Sequence, residues 1–272
     1  MRLRTVPARS GATWVRQGFR AFGKRPIAYA LLFTSVLLAI IAVRLVPLLV
    51  FVVLPLMPLV TLGFMLATRR VLAGEFPTPR VFIEPLRAGR AKVVAMLQLG
   101  VVYALATLAI MWLGDLIEGG GPDGLVDAPA AAASAPDLTA ESLAAAPGPL
   151  FGLLLRFGLA GLLSIPFWHA PALVFWDGHG CAKALFSSTV ACWRNRGAFA
   201  VYGVVWLGVL MGLSLVFGLL FAVFAQPETL LSASVPLSLI LATVYYASLY
   251  FTFADCFVPN ATVAPSEPED SP

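Results

Sequence analysis

Charged residues are scarce in this 272-residue chain: aspartate, glutamate, lysine and arginine together make up 12% of it, whereas 60% is hydrophobic. A soluble globular domain carries about 25% charged residues, most of them on its surface. Too few charged side chains are therefore present to cover a water-facing surface of this size. The composition excludes an ordinary soluble protein and indicates an integral membrane protein.

Cysteine and histidine are also few. Cys181, Cys192 and Cys256 are odd in number and lack the spacing of a metal site, and His169 and His179 are the only histidines. We therefore expect reduced, unligated thiols, no bound metal and no cofactor. No catalytic triad, cysteine–histidine pair, carboxylate pair or phosphate-binding loop is visible, so we expect no enzyme.

Long stretches without acids or bases are what the sequence has in abundance. A membrane-spanning helix needs about 20 apolar residues. Six stretches qualify: Pro26–Val43, Leu45–Thr68, Val93–Gly114, Phe157–Trp176, Gly197–Pro227 and Thr229–Ala254. We interpret Arg44-Leu-Val-Pro47 as a tight turn, which makes the first two stretches a hairpin. The predicted fold class is an all-α polytopic membrane protein with six transmembrane helices and amphipathic interfacial helices.

The basic residues are distributed by membrane side. With the N-terminus inside, 16 of the 18 bases fall in inner segments, which leaves only Arg44 and Arg156 toward the outer side. Lysine and arginine in short loops orient membrane proteins in this way. We expect a multi-pass protein of the bacterial inner membrane with both termini cytoplasmic. The net charge of +4 is therefore no sign of nucleic-acid binding.

Residues 1–257 are predicted to form a single membrane domain. The outer loop at about 115–149 is rich in glycine, alanine and proline, so we expect a flexible tether, with a short helix at Leu138–Ala145 as an alternative. Residues 258–272 read as a disordered acidic tail.

Three segments share one plan, with units at about 11–70, 78–176 and 181–257. Each begins with an apolar stripe, continues with a pair of bases and leads into a span. This pattern predicts a helix lying at the inner interface before each hairpin. Any basic inner loop that precedes a span would look similar, so chance is the alternative. The expected interfacial anchors are Trp14, Phe19, Phe22, Trp176, Phe186 and Trp193.

Four ionisable residues lie within or near the spans and are candidate contacts for a ligand or a transport path: Arg44, Arg156, His169 and Asp255. Such residues are costly in a membrane and are often functional. His169 and Asp255 would pair as a proton relay, or serve only as a structural hydrogen bond. Arg44 and Arg156 would bind a phosphate or carboxylate, or reach the headgroups, or pair with Asp115 or Glu118.

Four sequence segments carry a resemblance to known proteins: "VPARSGATWVRQGFRAF", "LGFMLATR", "SIPFWHAPALVFW" and "ALFSSTVACWRNRGAF". Together they resemble a family of uncharacterised bacterial inner-membrane proteins of about this length. The repeated plan is more loosely similar to the membrane domains of some glycerophosphodiester phosphodiesterases. Their soluble catalytic domain has no counterpart here, so the resemblance implies no hydrolytic activity.

Two functions fit these observations. The first is a membrane-embedded carrier or lipid-handling protein whose path is lined by the four ionisable residues. The second is a non-catalytic scaffold or accessory subunit whose interfacial helices bind a partner. The expected partners are membrane lipids and a membrane protein.

Overall fold

The computed structural model describes residues 1–117, 147–224 and 227–258. Within these ranges the side chains at 44, 47, 117, 147–151, 153, 221–224 and 227–235 are not described. Most of the predicted outer loop, its alternative helix at Leu138–Ala145 and the predicted tail from residue 259 onward lie outside the described residues.

The described chain is helical apart from one short strand pair. The α-helices are α1 Ser10–Lys24, α2 Pro26–Leu45, α3 Val50–Val53, α4 Met57–Leu72, α5 Arg90–Ile117, α6 Pro147–Phe167, α7 Ala170–Asp177, α8 Cys181–Arg194, α9 Arg196–Phe224 and α10 Pro227–Cys256. Four 3₁₀ turns lie at Pro47–Leu49, Leu54–Leu56, Pro79–Phe82 and Glu84–Arg87. Strands β1 (Arg2–Leu3) and β2 (Phe257–Val258) pair antiparallel.

Six helical segments of the described chain are long and apolar enough to cross a membrane. They are Pro26–Val43, Val50–Leu72, Arg90–Leu116, Leu154–Asp177, Arg196–Leu220 and Pro236–Cys256. The predicted all-α, six-span membrane fold is confirmed. The α9 span is the most peripheral, because only 6% of it is buried by the rest of the protein, against 50% of Val50–Leu72.

Proline shapes two of the spans. Helix α2 ends at Leu45 and a 3₁₀ turn begins at Pro47, as the predicted hairpin requires. The return span is interrupted again by the 3₁₀ turn Leu54–Leu56. The fourth span breaks between α6 and α7, because the residues around Pro171 cannot continue the α6 hydrogen-bond ladder.

The first and last described residues meet at one end of the bundle. We call it the basic end because α2, α5 and α9 start there next to Arg25, Arg90 and Arg196. The β1–β2 pair joins the two ends of the described chain. Lys92 donates a hydrogen bond of 2.8 Å to the carbonyl of Phe175. These contacts close the basic end around a continuous buried core.

Helix α1 is docked against α9 and α10. Its predicted position at the inner membrane interface stays a prediction. A Cβ atom on Gly11 would sit 2.2 Å from the carbonyl oxygen of Ala198 in α9, and one on Gly18 would sit 2.7 Å from the Cβ of Ser248 in α10. The two glycines therefore allow backbone-to-backbone approach. The buried face of α1 is Gly11, Trp14, Val15, Gly18 and Ala21, and it leaves out the predicted anchors Phe19 and Phe22.

In the middle unit, residues 78–89 before the span form no α-helix. Two 3₁₀ turns, Pro79–Phe82 and Glu84–Arg87, take its place, because Pro79 and Pro85 lack the N–H groups that a continuous helix would need. The ring of Phe82 fills the space beside Gly63 of α4, where a Cβ atom would lie 2.2 Å from it.

The segments that precede the hairpins pack in a cyclic order. Helix α1 of the first unit packs on α9 and α10 of the third, and α8 of the third packs on α6 and α7 of the second. The 3₁₀ turns of the second unit pack on α4 and α2 of the first. Each unit therefore packs against the segment that precedes the hairpin of another unit. The threefold repeat itself stays a prediction.

Candidate functional site

His169 is buried in an aromatic cage at the break between α6 and α7. Its side chain is fully inaccessible, and its ring lies 5.8 Å from Phe199, 5.9 Å from Phe253 and 5.4 Å from Phe257, centroid to centroid. Neither ring nitrogen has a hydrogen-bond partner among the described residues. The backbone N–H donates to Ser188 Oγ at 3.0 Å, which ties α8 to the break.

Asp255 accepts a hydrogen bond from Trp14, not from His169. The indole Nε1 donates to Asp255 Oδ2 at 2.7 Å. The predicted His169–Asp255 pair is therefore wrong, because position along a helix does not determine which side of the helix a residue occupies. Trp14 has no exposed surface, so its predicted role as an interfacial anchor is wrong as well.

Arg156 pairs with Asp115 at the end of the bundle opposite the basic end. Gly114 makes room for the pair, because a Cβ atom there would overlap the side chain of Arg156. Pairing with Asp115 was one of the alternatives predicted for Arg156. The ion pair occupies the guanidinium group that would otherwise bind a phosphate or carboxylate. The side chain of Arg44 lies outside the described residues, so its predicted role stays untested.

The other predicted anchors fall into two groups. Phe186 and Trp193 are 71% and 70% exposed on one face of α8, as a membrane-facing stripe requires. Phe19, Phe22 and Trp176 instead pack on ring systems of the protein: Phe19 on Trp206, Phe22 on Tyr29, and Trp176 on Phe253.

Outside the spans, burial shifts the pKa values of titratable groups that follow α7. His179 Nε2 lies 2.9 Å from Asp177 Oδ2, yet the pKa of His179 is lowered, first by burial and then by Lys183, against the opposing effect of Asp177. Burial raises the pKa of the Cys192 thiol to about 12. The described residues contain no group of three His, Cys, Asp or Glu side chains that could hold a metal ion.

An apolar groove of about 520 Å³ lies between α6, α8 and α9; we call it the aromatic groove. Trp168, Phe199 and Tyr202 form its floor, with ring centroids 5.4 and 5.9 Å from that of Trp168. The remaining lining residues are Ser164, Ile165, Cys192, Trp193, Arg196, Gly203, Trp206 and Tyr245. Since Trp193 and Gly203 are exposed, the groove opens sideways, toward the place that lipid would occupy.

A second apolar groove of about 340 Å³ lies between α2, the return span and the 3₁₀ turns; we call it the hairpin groove. Its lining includes Ser35, Val36, Ala39, Val60, Phe82 and Leu86. Beside it is a basic pocket of about 450 Å³, formed by Arg70, Arg80, Ile83, Glu84 and Arg87. Ile83 lines both, so the two are neighbours.

Sequence reasoning missed both grooves. In the sequence, Arg80 and Arg87 served only as bases that orient the chain. No local sequence pattern indicates that they lie beside Arg70. The aromatic groove needs residues from four helices, and their meeting depends on how the helices pack.

Comparison with known proteins identifies the family. The chain is 34% identical to a probable inner membrane protein of Burkholderia thailandensis over 274 aligned positions, which cover 100% of this chain and 99% of that protein. The chain belongs to that protein's family. The family relationship and the six apolar helices establish a multi-pass protein of the inner membrane.

Other comparisons add no activity. No family model matches the chain, and no solved structure matches it. The geometry of the two grooves is therefore the main guide to function.

Proposed function

We propose that this protein is a non-catalytic, lipid-handling protein of the inner membrane that holds a lipid chain in the aromatic groove. The observation that carries the proposal is the groove itself: a space of about 520 Å³, lined by aromatic rings and open sideways between α6, α8 and α9. Through a sideways opening, a lipid chain can enter the groove directly from the bilayer without passing through water. A transport path through the four ionisable residues is disfavoured, because Arg156, His169 and Asp255 have separate surroundings.

The dimensions of the groove suit one leaflet. Arg196 lies at its basic end and Trp206 lies ten residues further along α9. At 1.5 Å per residue this interval corresponds to about 15 Å. The hydrocarbon core of a bilayer is about 30 Å thick, so half of it has the same depth. A lipid chain in the groove would therefore place its headgroup near Arg196.

We also propose that the basic end faces the cytoplasm, with both termini inside. Sixteen of the 18 bases belong to segments at that end, and short cytoplasmic segments are enriched in lysine and arginine. The lipid handled in the aromatic groove would then come from the cytoplasmic leaflet.

Filling the groove tests the function. Gly203 lines the groove, and a Cβ atom there would meet nothing within 4 Å, so Gly203→Phe places a ring at the rim of the groove without a backbone clash. Gly212→Phe is the matched control on the same helix, since Gly212 is equally open and does not line the groove. Full-length protein in membranes containing a phospholipid with a photoreactive acyl chain should cross-link in the aromatic groove. We expect Gly203→Phe to lose most of this signal and Gly212→Phe to keep it; an equal signal in both would refute the proposal.

A second candidate, a scaffold, is favoured by the exposed stripe on α8. Phe186 and Trp193 lie seven residues apart, about two helical turns, and both are mostly exposed. Such a stripe suits either the membrane surface or a partner protein. Phe186→Ser with Trp193→Ser should release a stoichiometric partner during purification in mild detergent if the scaffold reading is right. A protein that purifies alone before and after the change would argue against it.

A further inference from the structure

The hairpin groove and the basic pocket together have the form of an amphiphile site. The groove is apolar and lies between α2 and the return span, whereas the pocket carries three arginines and one glutamate, a formal charge of +2. Ile83 joins them. We infer that this composite site binds one anionic phospholipid, with an acyl chain in the hairpin groove and the phosphate between Arg80 and Arg87. The inference rests on the proposed lipid-handling function and names a ligand class that the aromatic groove does not specify.

The local backbone explains why one short segment serves both halves of the site. A 3₁₀ turn has three residues per turn, so residues three apart lie on the same face. Pro79 and Phe82 therefore face the hairpin groove together. In the following turn Glu84 and Arg87 both face the basic pocket. An α-helix would not separate these short apolar and charged sets in the same way.

Arg80 and Arg87 line the basic pocket, whereas several other bases at this end make contacts elsewhere. Arg25 donates to a backbone carbonyl, and Arg69 and Lys92 lie over the rings of Trp176 and Phe175. Arg70 pairs with Glu84 at 2.6 Å. Among the described residues, the side chains of Arg80 and Arg87 have no ion pair and no ring contact. Two guanidinium groups are thus available for a phosphate, which they bind by paired N–H donors.

The depth of the site also matches one leaflet. Arg70 lies near the end of α4 at the basic end, and Val60, which lines the groove, lies ten residues earlier. This interval corresponds to about 15 Å along the helix, or about half of a hydrocarbon core of about 30 Å. A phosphate at the arginines would therefore lie at headgroup level while the chain follows the groove.

Headgroup charge, not chain length, should decide the affinity. Within a bilayer an acyl chain gains little from moving out of bulk lipid, because lipid tails are as apolar as the groove. The selective part of the binding must come from the phosphate and the arginines. The uncharged hydroxyl of Ser35 and the apolar wall offer no comparable discrimination between lipids.

Native mass spectrometry of the full-length protein in mild detergent tests the inference, with phosphatidylglycerol, cardiolipin and phosphatidylethanolamine added in turn. Loss of a charge-assisted contact should reduce binding about tenfold. We expect the wild type to prefer the two anionic lipids, and Arg80→Gln with Arg87→Gln to reduce that preference about tenfold. Arg16→Gln with Arg20→Gln removes the same charge from exposed positions on α1 and should leave the preference unchanged.

Two further experiments test the acyl-chain and phosphate parts of the site separately. Ala39→Phe fills the hairpin groove, and Ala30→Phe places the same ring on an exposed position of α2 outside it; only the first should weaken anionic lipid binding. Inorganic phosphate and glycerol phosphate should not compete at concentrations at which the lipid saturates the site. Effective competition would show a free-anion site and overturn the inference.

Failure of the inference differs from failure of the proposed function. If the Arg80/Arg87 variant keeps the wild-type preference while lipid still cross-links in the aromatic groove, the headgroup assignment is wrong and lipid handling stands. If the cross-link in the aromatic groove is absent as well, both are wrong. Size-exclusion chromatography and circular dichroism of each variant verify that it is folded.

Discussion

Trp14 and Asp255, 241 residues apart in sequence, are joined by a hydrogen bond of 2.7 Å between the indole Nε1 and the carboxylate Oδ2. Trp14 belongs to α1 and Asp255 to the last turn of α10. The bond therefore fastens the first helix to the last span, at the same end where β1 pairs with β2.

Removing this bond should destabilise the protein. Trp14→Phe keeps an aromatic ring in the buried site but leaves Asp255 without its donor, and hydrogen bonds to charged groups contribute about 1.5–3 kcal/mol. We expect a loss of this size, measured by thermal or denaturant unfolding in detergent. Trp193→Phe is the control, because Trp193 is 70% exposed. An equal effect of both changes would show that the bond contributes no stability.

Gly11 should tolerate no side chain. A Cβ atom there would lie 2.2 Å from the backbone oxygen of Ala198, and backbone cannot give way cheaply. We expect Gly11→Ala to cost about 3 kcal/mol or more, the upper range for overpacked cores, seen as a lower unfolding midpoint. Gly23→Ala lies on the same helix with nothing within 4 Å of the new atom, so it should be neutral or stabilising. A stable Gly11→Ala protein would contradict the close docking of α1.

His169→Leu should be tolerated or stabilising. The imidazole is fully buried, and its nitrogens have no hydrogen-bond partner among the described residues; an unsatisfied buried polar group costs about 1–3 kcal/mol. Ser188→Ala should destabilise instead, because Ser188 Oγ accepts from His169 N–H and donates to the Ile165 carbonyl. Unfolding midpoints of the two variants test this contrast. A strongly destabilised His169→Leu would show that the ring nitrogens make a contact that matters.

Cysteine labelling tests the orientation of the chain. Burial raises the pKa of Cys181 and raises that of Cys192 to about 12, but only Cys181 is partly accessible, since Cys192 and Cys256 are buried. A membrane-impermeant maleimide at mildly alkaline pH should label Cys181 in inverted vesicles and not in intact spheroplasts. Val46→Cys in a Cys181→Ser background should give the reverse pattern, because Val46 lies at the opposite end of α2. Labelling of Cys181 from outside would reverse the proposed topology.

His179 should make stability depend on pH. Its pKa is lowered from the ordinary 6.5, mainly by burial, so the unfolded chain binds a proton in a range where the folded protein does not. Stability is then fully present above about pH 6.5 and declines as pH falls toward the lowered value. Unfolding midpoints should show this decline in the wild type and less of it in His179→Gln. A decline unchanged by the substitution would assign it to another group.

Charge-free runs and proline positions were enough to predict the six spans and the turn at Arg44–Pro47. Spans are predictable because charged residues are excluded from lipid, which leaves long charge-free runs in the sequence. Turns are predictable because proline lacks the backbone N–H that a continuous helix needs. The docking of α1 was not predictable in this way. Gly11 and Gly18 look featureless in a hydrophobic stripe, and their role appears only when another backbone lies against them.

The candidate site was predicted less well than the fold. Rotation about each helix axis decides whether His169 and Asp255 meet, and the sequence does not fix that rotation. Pairing of Arg156 with Asp115 was foreseen among the alternatives, because both residues flank one loop. The basic pocket needs Arg70 from α4 beside Arg80 and Arg87 from the 3₁₀ turns, a juxtaposition that no local pattern encodes.

The docking of α1 on α9 and α10 has a consequence for biogenesis. Helix α1 is synthesised before both of its partners. The surface that receives Gly11 requires α9, and the surfaces that receive Trp14 and Gly18 require α10. At about 5–20 residues per second the intervening chain takes roughly ten to fifty seconds to synthesise. During that interval the nascent first helix must wait on the membrane or be sheltered, so the opening segment of the chain is the last to reach its native position.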